Sequence, residues 1–403
     1  MTESRFLRRR FTRLRVVLAL VLFLVFIIDV STQGPRLTGR PQLAAAYDAI
    51  FDARFDDVPE LLTAACNSGG APARSAGRSA QHALPEACQL LEVVAIWWRI
   101  QLDPNNRSRD EEFRTRADAA IDAIDAWTMR EPMRAEAWFY LGGAYGARAQ
   151  WRVLRGERLS AARDGKRIKE SLERALDLDP ALQDAYFGIG LYHYYADVAP
   201  AAARFLRWLL LLPGGDRVEG LKEMLRAREG GELLRSEADY QLHLVYLWYE
   251  KRTDRALELL RALRARHPRN PHFVQSIADI EDVYLHDTAA SLRTWQQLLD
   301  AARAGQVAEP AMADTAARLG LAREMDKRGD SEGAIAHLRE VIERKPAAPF
   351  GARARAQLQL GQALDHRGQR REAIDAYRAA LDHVPPGDPD RIAPAARAAL
   401  RGR

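Results

Sequence analysis

Apolar residues recur along most of the 403-residue chain at spacings of three and four positions, which is typical of an α-helix. In the first such stretch, Tyr47, Ile50, Phe51 and Phe55 lie at i, i+3, i+4 and i+8, so they share one helical face. Prolines and glycines interrupt the pattern at intervals. The first third of the chain therefore predicts helices over residues 43–55, 58–65, 86–102 and 110–129.

From residue 135 onward the pattern repeats with recognisable marks. Residues 135–145 read AEAWFYLGGAY and residues 184–190 read DAYFGIG. Each stretch has a bulky aromatic residue, an apolar residue three positions later and a glycine directly after it. On a helix, this spacing leaves a glycine where a second helix can approach closely. The marks are Trp138, Leu141, Gly142 and Tyr145, closed by Pro180, and then Tyr186 and Gly190.

Three later units share a second spacing. Each has an alanine, a large residue four positions on and a proline twelve positions on, and Gly361 opens the last unit. The alanine and proline pairs are Ala256 with Pro268, Ala334 with Pro346, and Ala373 with Pro385. A proline cannot continue a helix, so each spacing predicts the end of a repeated unit.

These marks resemble the tetratricopeptide repeat, a hairpin of two antiparallel helices of about 34 residues. The resemblance implies an all-α superhelical solenoid of antiparallel helical hairpins, and the sequence before the repeats predicts one N-terminal hydrophobic helix. It divides the chain into degenerate hairpins (42–134), units with long helices and a hydrophobic insertion (135–232), C-terminal units (233–390) and a capping tail (391–403).

The N-terminus departs from the helical pattern. Residues 16–28 (VVLALVLFLVFII) form an unbroken apolar run directly after an arginine-rich stretch. The sequence predicts a basic cytoplasmic tail over 1–13, a transmembrane signal-anchor or signal peptide over 14–30 and a linker over 31–41. An uncleaved anchor predicts a single-pass membrane protein with a cytoplasmic N-terminus and a periplasmic repeat domain. A cleaved signal predicts a secreted or periplasmic protein.

The formal net charge of +5 resides in the tail, because residues 1–15 carry six arginines and one acidic residue. The remaining charges balance, so no nucleic-acid partner is expected.

The two cysteines, Cys66 and Cys88, flank a stretch rich in glycine and proline that predicts a loop between two helices. In an exported chain a disulfide between them is expected, and two independent buried thiols are the alternative. No Cys-His set at metal spacing occurs, so no metal or other cofactor is expected.

Neither a His-Glu-x-x-His nor a Gly-x-Ser-x-Gly motif is present, and the chain is predicted to be non-enzymatic, with no small-molecule substrate. The resemblance implies a scaffold that binds a protein or peptide partner on the face lined by the first helix of each hairpin. The layout resembles bacterial envelope proteins that carry such repeats. The predicted surface residues are Arg134, Arg148, Gln183 and His193.

One stretch allows a different function. Residues 205–212 read FLRWLLLL, too short to span a bilayer. They predict a buried helix or an interfacial element, and the second interpretation describes a structural or membrane-associated assembly protein.

Overall fold

The computed structural model describes residues 36–66, 83–198 and 214–402, and these residues form helices and turns without a strand. The helices are α1 (Arg40–Phe51), α2 (Val58–Cys66), α3 (Pro85–Leu102), α4 (Asp110–Arg130), α5 (Ala135–Leu154), α6 (Arg158–Leu178), α7 (Ala185–Val198), α8 (Arg217–Gly230), α9 (Arg235–Trp248), α10 (Thr253–Arg266), α11 (Pro271–Val283), α12 (Thr288–Arg303), α13 (Pro310–Lys327), α14 (Ser331–Arg344), α15 (Ala352–His366), α16 (Arg370–Asp382) and α17 (Ile392–Arg401).

Consecutive helices pair as hairpins, from α1–α2 to α15–α16, and α17 packs against α15 and α16 at the C-terminal end. Each second helix also contacts the first helix of the next hairpin, so the hairpins stack in sequence order. The predicted all-α chain of helical hairpins is therefore confirmed for the described residues. Odd-numbered helices from α1 to α15 are the first helices of their hairpins.

Two of the predicted glycines lie where helices touch. A Cβ atom on Gly142 would lie 2.7 Å from Cδ2 of Leu172 on α6. A Cβ atom on Gly190 would lie 2.7 Å from the carbonyl oxygen of Gly220 on α8. At these two crossings a larger residue would push the second helix away from the first.

The aromatic residue of each repeat mark makes an equivalent hydrogen bond in two hairpins. Trp138 Nε1 donates to the carbonyl oxygen of Pro132 at 3.0 Å, and Tyr186 Oη donates to that of Pro180 at 3.1 Å. In both cases the acceptor lies six residues before the aromatic residue. The indole and the phenol therefore tie each first helix to the turn that precedes it.

The first helices of hairpins distant in sequence meet at the centre of the molecule. The ring of Trp98 on α3 lies 4.9 Å from that of Tyr240 on α9 and 6.0 Å from that of Phe273 on α11, centroid to centroid. Asn270 Nδ2 also donates to the carbonyl oxygen of Phe51, on α1, at 2.8 Å. The solenoid thus turns back on itself, and the inner side of its first six hairpins is a packed core.

A disulfide joins Cys66, the last residue of α2, to Cys88, in the first turn of α3, with the two Cα atoms 6.5 Å apart. The bond fastens the first hairpin to the second. Most of the connecting stretch, residues 67–82, lies outside the described residues.

The predicted single-pass membrane localisation is contradicted. Among the described helices, none is both long and apolar enough to cross a membrane. Helix α3, for example, has 18 residues but carries Glu86, Glu92 and Arg99. The predicted tail (1–13), apolar segment (14–30) and hydrophobic stretch (205–212) lie outside the described residues.

We expect Trp98→Ala to lower the free energy of unfolding by about 3 to 5 kcal/mol, because it removes a fully buried indole from the central contact. Trp248→Ala is the matched control, because that indole is 49% exposed and its loss should cost less than about 1 kcal/mol. Urea unfolding followed by circular dichroism measures both. Equal losses in the two variants would contradict the closed packing.

Candidate functional site

The inner side of the solenoid holds a buried cluster of aromatic and histidine side chains. The phenol of Tyr240 lies 3.1 Å from Nε2 of His272 and accepts from Nε2 of Gln101 at 3.2 Å. Burial lowers the pKa of His243 to about 3, and that of His267 and His272 to about 4. These imidazoles are therefore neutral at physiological pH, and they pack as part of the core.

A buried carboxyl group links three hairpins through this cluster. Glu237 on α9 accepts from the phenol of Tyr47 at 3.4 Å and from Nε2 of Gln241 at 3.2 Å. Gln241 Nε2 also donates to Oε1 of Gln150, on α5, at 3.0 Å. Burial raises the pKa of Glu237. Partners from α1 and α5 fill this inner face, so it offers no open groove between these helices.

One edge of the solenoid is formed where the first helices α5, α7 and α9 begin, and we call it the starting edge. The segment Arg36–Gly39, just before α1, lies across it. Arg36 Nη1 contacts both carboxylate oxygens of Asp179 at 2.7 Å, and the backbone N–H of Arg36 donates to Oε1 of Glu232 at 2.8 Å.

The next two residues of the segment are held as firmly. Leu37 is fully buried. The backbone N–H of Thr38 donates to Oε1 of Glu136 at 2.7 Å, and its hydroxyl donates to Oε2 at 2.9 Å. Arg134 donates to the same carboxylate at 2.9 Å and to the Thr38 hydroxyl at 3.0 Å. The backbone N–H of Leu37 also donates to Oε2 of Glu232 at 3.4 Å, so each residue from 36 to 38 is bonded to the solenoid.

A cavity of about 810 Å³ lies beside the segment at the starting edge. Its walls are Arg36 and Thr38, residues 131–136, and Leu178, Asp179 and Leu182. Met133 on its rim is 72% exposed. The cavity is therefore lined by carboxylates, by the two arginines Arg36 and Arg134, and by apolar side chains.

Asp184 fixes the conformation of the loop that carries Glu232. Its buried carboxylate accepts the backbone N–H groups of Glu232, Leu233 and Leu234 at 2.7, 2.9 and 2.7 Å. Burial raises the pKa of Asp184, against the effect of these hydrogen bonds. The carboxylate of Asp184 acts as a positioning group, because it fixes the loop without touching the segment.

The opposite edge, where α7, α9 and α11 end, carries an exposed apolar patch that we call the finishing-edge patch. Its side chains are between 38 and 58% exposed, and they are Trp248, Tyr249, Val283, Tyr284 and Leu285. The ring of Tyr249 packs 5.6 Å from that of Tyr195 near the end of α7. The patch therefore spans two neighbouring hairpins and rests on a third.

The four surface residues predicted from the sequence lie in separate contacts and form no single cluster. Arg134 lines the starting-edge cavity. Arg148 pairs with Asp118 and Asp164, Gln183 accepts from Arg226 at 2.7 Å, and Nδ1 of His193 lies 2.8 Å from Glu223. All four thus have partners within the chain.

Sequence reasoning missed the residues that define both edges. Leu37 and Thr38 lie in a short segment that reads as a linker, and no periodicity marks them. The finishing-edge patch could have been found from the sequence. Trp248 and Val283 are the last residues of successive first helices, and their separation of 35 residues is close to the repeat period.

Within residues 36–66, 83–198 and 214–402, His, Cys, Asp and Glu side chains do not gather in threes as a metal site requires.

A family model described as tetratricopeptide repeat matches residues 355–386, which span most of α15 and all of α16. The chain therefore contains a tetratricopeptide repeat in its last hairpin. No curated protein matches the chain by sequence.

Similar solved structures include yeast Tom70, with 12% identity and a TM-score of 0.41 over 90% of this chain and 81% of that one. The Cut9–Hcn1 hetero-tetramer of the APC/C has 12% identity and a TM-score of 0.42, over 86% of this chain and 60% of that one. The apo form of RapI has 12% identity and a TM-score of 0.38, over 88% and 79%. At these values the similarity carries no argument about partners.

We expect the free energy of unfolding to fall between pH 6.5 and pH 4 through the three buried histidines. The unfolded chain protonates them near pH 6.5, whereas the folded chain keeps them neutral to about pH 3 to 4. The unfolded state then binds more protons, which costs up to about 1.4 kcal/mol per pH unit for each histidine.

Buried Glu237 and Asp184 have raised pKa values, so their protonation increases the free energy of unfolding as the pH falls. The test therefore compares variants by the slope of the free energy of unfolding against pH. His243→Asn should flatten the decrease in denaturant unfolding measured at half-unit pH steps. His286→Asn is the matched control for the substitution itself, because that side chain is exposed. A wild-type slope in His243→Asn would show that this imidazole is not held neutral.

Proposed function

We propose that the protein is a non-enzymatic scaffold that binds a protein partner through the finishing-edge patch. The observation that carries the proposal is the exposure of five large apolar side chains on two neighbouring hairpins. Contiguous exposed apolar surface, and aromatic residues within it, mark protein interaction sites. Because Tyr249 packs on Tyr195, the patch stands on a rigid base, which lowers the entropy cost of binding.

The packed inner side favours a binding site at an edge of the solenoid. A peptide on the first-helix face between α1 and α11 would have to displace Trp98 and Phe273, both fully buried. Such a displacement costs several kcal/mol per side chain. An exposed edge requires no such rearrangement.

The proposal extends to a partner in the cell envelope. What supports this is the disulfide between Cys66 and Cys88, because such bonds persist in oxidising compartments outside the cytoplasm.

We expect the double variant Trp248→Ala/Tyr284→Ala to lose partner binding by at least tenfold, because buried aromatic anchors contribute about 2 kcal/mol or more each. The measurement is quantitative mass spectrometry of proteins cross-linked to the full chain in extracts of its source cells. Val153→Ala/Leu159→Ala is the matched control, since these side chains are 64 and 57% exposed elsewhere. Equal loss in the control, or no loss in the first variant, argues against the patch.

The envelope location has its own test. Cells are lysed in denaturant with a polymer-linked maleimide, with or without reductant. We expect no mass shift without reductant and two additions after reduction, since Cys66 and Cys88 are the chain's only cysteines. Two additions without reductant would show free thiols and rule out an oxidising location.

A further inference from the structure

The starting edge holds the segment Arg36–Gly39 in the way that a peptide-binding protein holds a ligand. The backbone N–H groups of Arg36 and Leu37 donate to the Glu232 carboxylate at 2.8 and 3.4 Å, and that of Thr38 donates to Glu136 at 2.7 Å. The side chains of the segment make separate contacts. The Arg36 guanidinium binds the Asp179 carboxylate, and the Leu37 side chain is fully buried. Main-chain hydrogen bonds combined with separate contacts for individual side chains are a common basis of peptide recognition.

The partners of the segment are also held in place by contacts that do not involve it. Glu136 pairs with Arg134 at 2.9 Å, and Asp179 accepts the backbone N–H of Ala181 at 3.1 Å. The loop that carries Glu232 is fixed by Asp184. The site is therefore formed by the solenoid itself, and preorganisation of this kind lowers the cost of binding.

The segment joins the first hairpin at a sharp change of direction. Gly39 has φ of +67° and caps α1, a conformation that favours glycine. Helix α1 keeps separate anchors, among them the Asn270 hydrogen bond to Phe51 and the bond from the backbone N–H of Arg269 to Asp52 at 2.9 Å. Helix α1 therefore has contacts of its own that do not depend on residues 36–38.

We propose that the starting edge is a peptide-recognition site that Arg36, Leu37 and Thr38 occupy as a tethered ligand. Its external ligand is a segment of a partner that carries an arginine, an aliphatic residue and then a threonine, and that adopts the bent conformation of residues 36–38. In this site Asp179 binds the arginine of the ligand, and the buried position of Leu37 accepts the aliphatic side chain. Glu136 accepts from both the hydroxyl and the backbone N–H of the threonine. The cavity of about 810 Å³ beside the segment gives room for further ligand residues.

This site is separate from the finishing-edge patch and does not depend on it. A tethered segment acts at an effective concentration of about a millimolar, so a free peptide at micromolar concentration should not displace it. Weakening the tether should therefore expose the site to a peptide in solution.

The experiment measures fluorescence anisotropy of a labelled peptide, GPRLTG, the sequence of residues 34–39, with the full chain. We expect Arg36→Ala/Thr38→Ala to bind it at least tenfold more tightly than the wild-type chain does. Arg40→Ala is the control, because its Nε makes only a long contact of 3.4 Å to the Glu232 carbonyl oxygen and the tether should stay seated. No gain in the double variant, with its helical circular dichroism intact, would overturn the proposal.

Two further variants identify the contacts. In the Arg36→Ala/Thr38→Ala background, Asp179→Asn should remove most of the gained binding, whereas Asp177→Asn, at a neighbouring exposed carboxylate, should not. A peptide with glutamate in place of arginine should also fail to bind. Binding that survives Asp179→Asn or this peptide change would overturn the assignment.

If Arg36→Ala/Thr38→Ala does not fold, the single variant Arg36→Ala gives the same test with a smaller expected gain. The failure of this proposal is distinguishable from failure of the proposed function. Trp248→Ala/Tyr284→Ala should leave peptide binding unchanged, since the patch lies at the opposite edge.

Discussion

The contact of Trp98 with Tyr240 and Phe273 determines the form of this solenoid. Stacked hairpins need only their neighbours, and such a stack normally leaves its first-helix side open. Here the indole from the second hairpin is fully buried against rings from the fifth and sixth. The hydrophobic effect that would otherwise favour a ligand on that side is already satisfied within the chain.

Because the inner side is closed, the two surfaces that we propose for binding lie at the edges of the solenoid. At one edge, carboxylates from separate hairpins converge on Arg36 and Thr38. At the other, apolar side chains at the ends of α9 and α11 remain uncovered. One edge is polar, because Glu136, Asp179 and Glu232 lie there, and the other is apolar, because large apolar side chains lie at the ends of α9 and α11.

Local features were predictable from the sequence, and contacts between distant residues were not. The helices and the close approach at Gly142 follow from spacing, because each depends on residues within one hairpin. The pairing of Thr38 with Glu136, or of Phe51 with Asn270, joins residues about 100 and more than 200 positions apart, and no periodicity records it. The predicted membrane localisation was wrong, because none of the described helices is long and apolar enough to cross a membrane.

The separation between Trp98 and its partners has a consequence for synthesis of the chain. A chain leaves the ribosome N-terminus first, and its early domains usually fold before later ones appear. The first two hairpins cannot complete their packing in this way, because Phe273 follows Trp98 by 175 residues. Until then Phe51 and Trp98 lack their native partners on the later hairpins, so the partly synthesised chain exposes apolar surface to water and is more prone to aggregation.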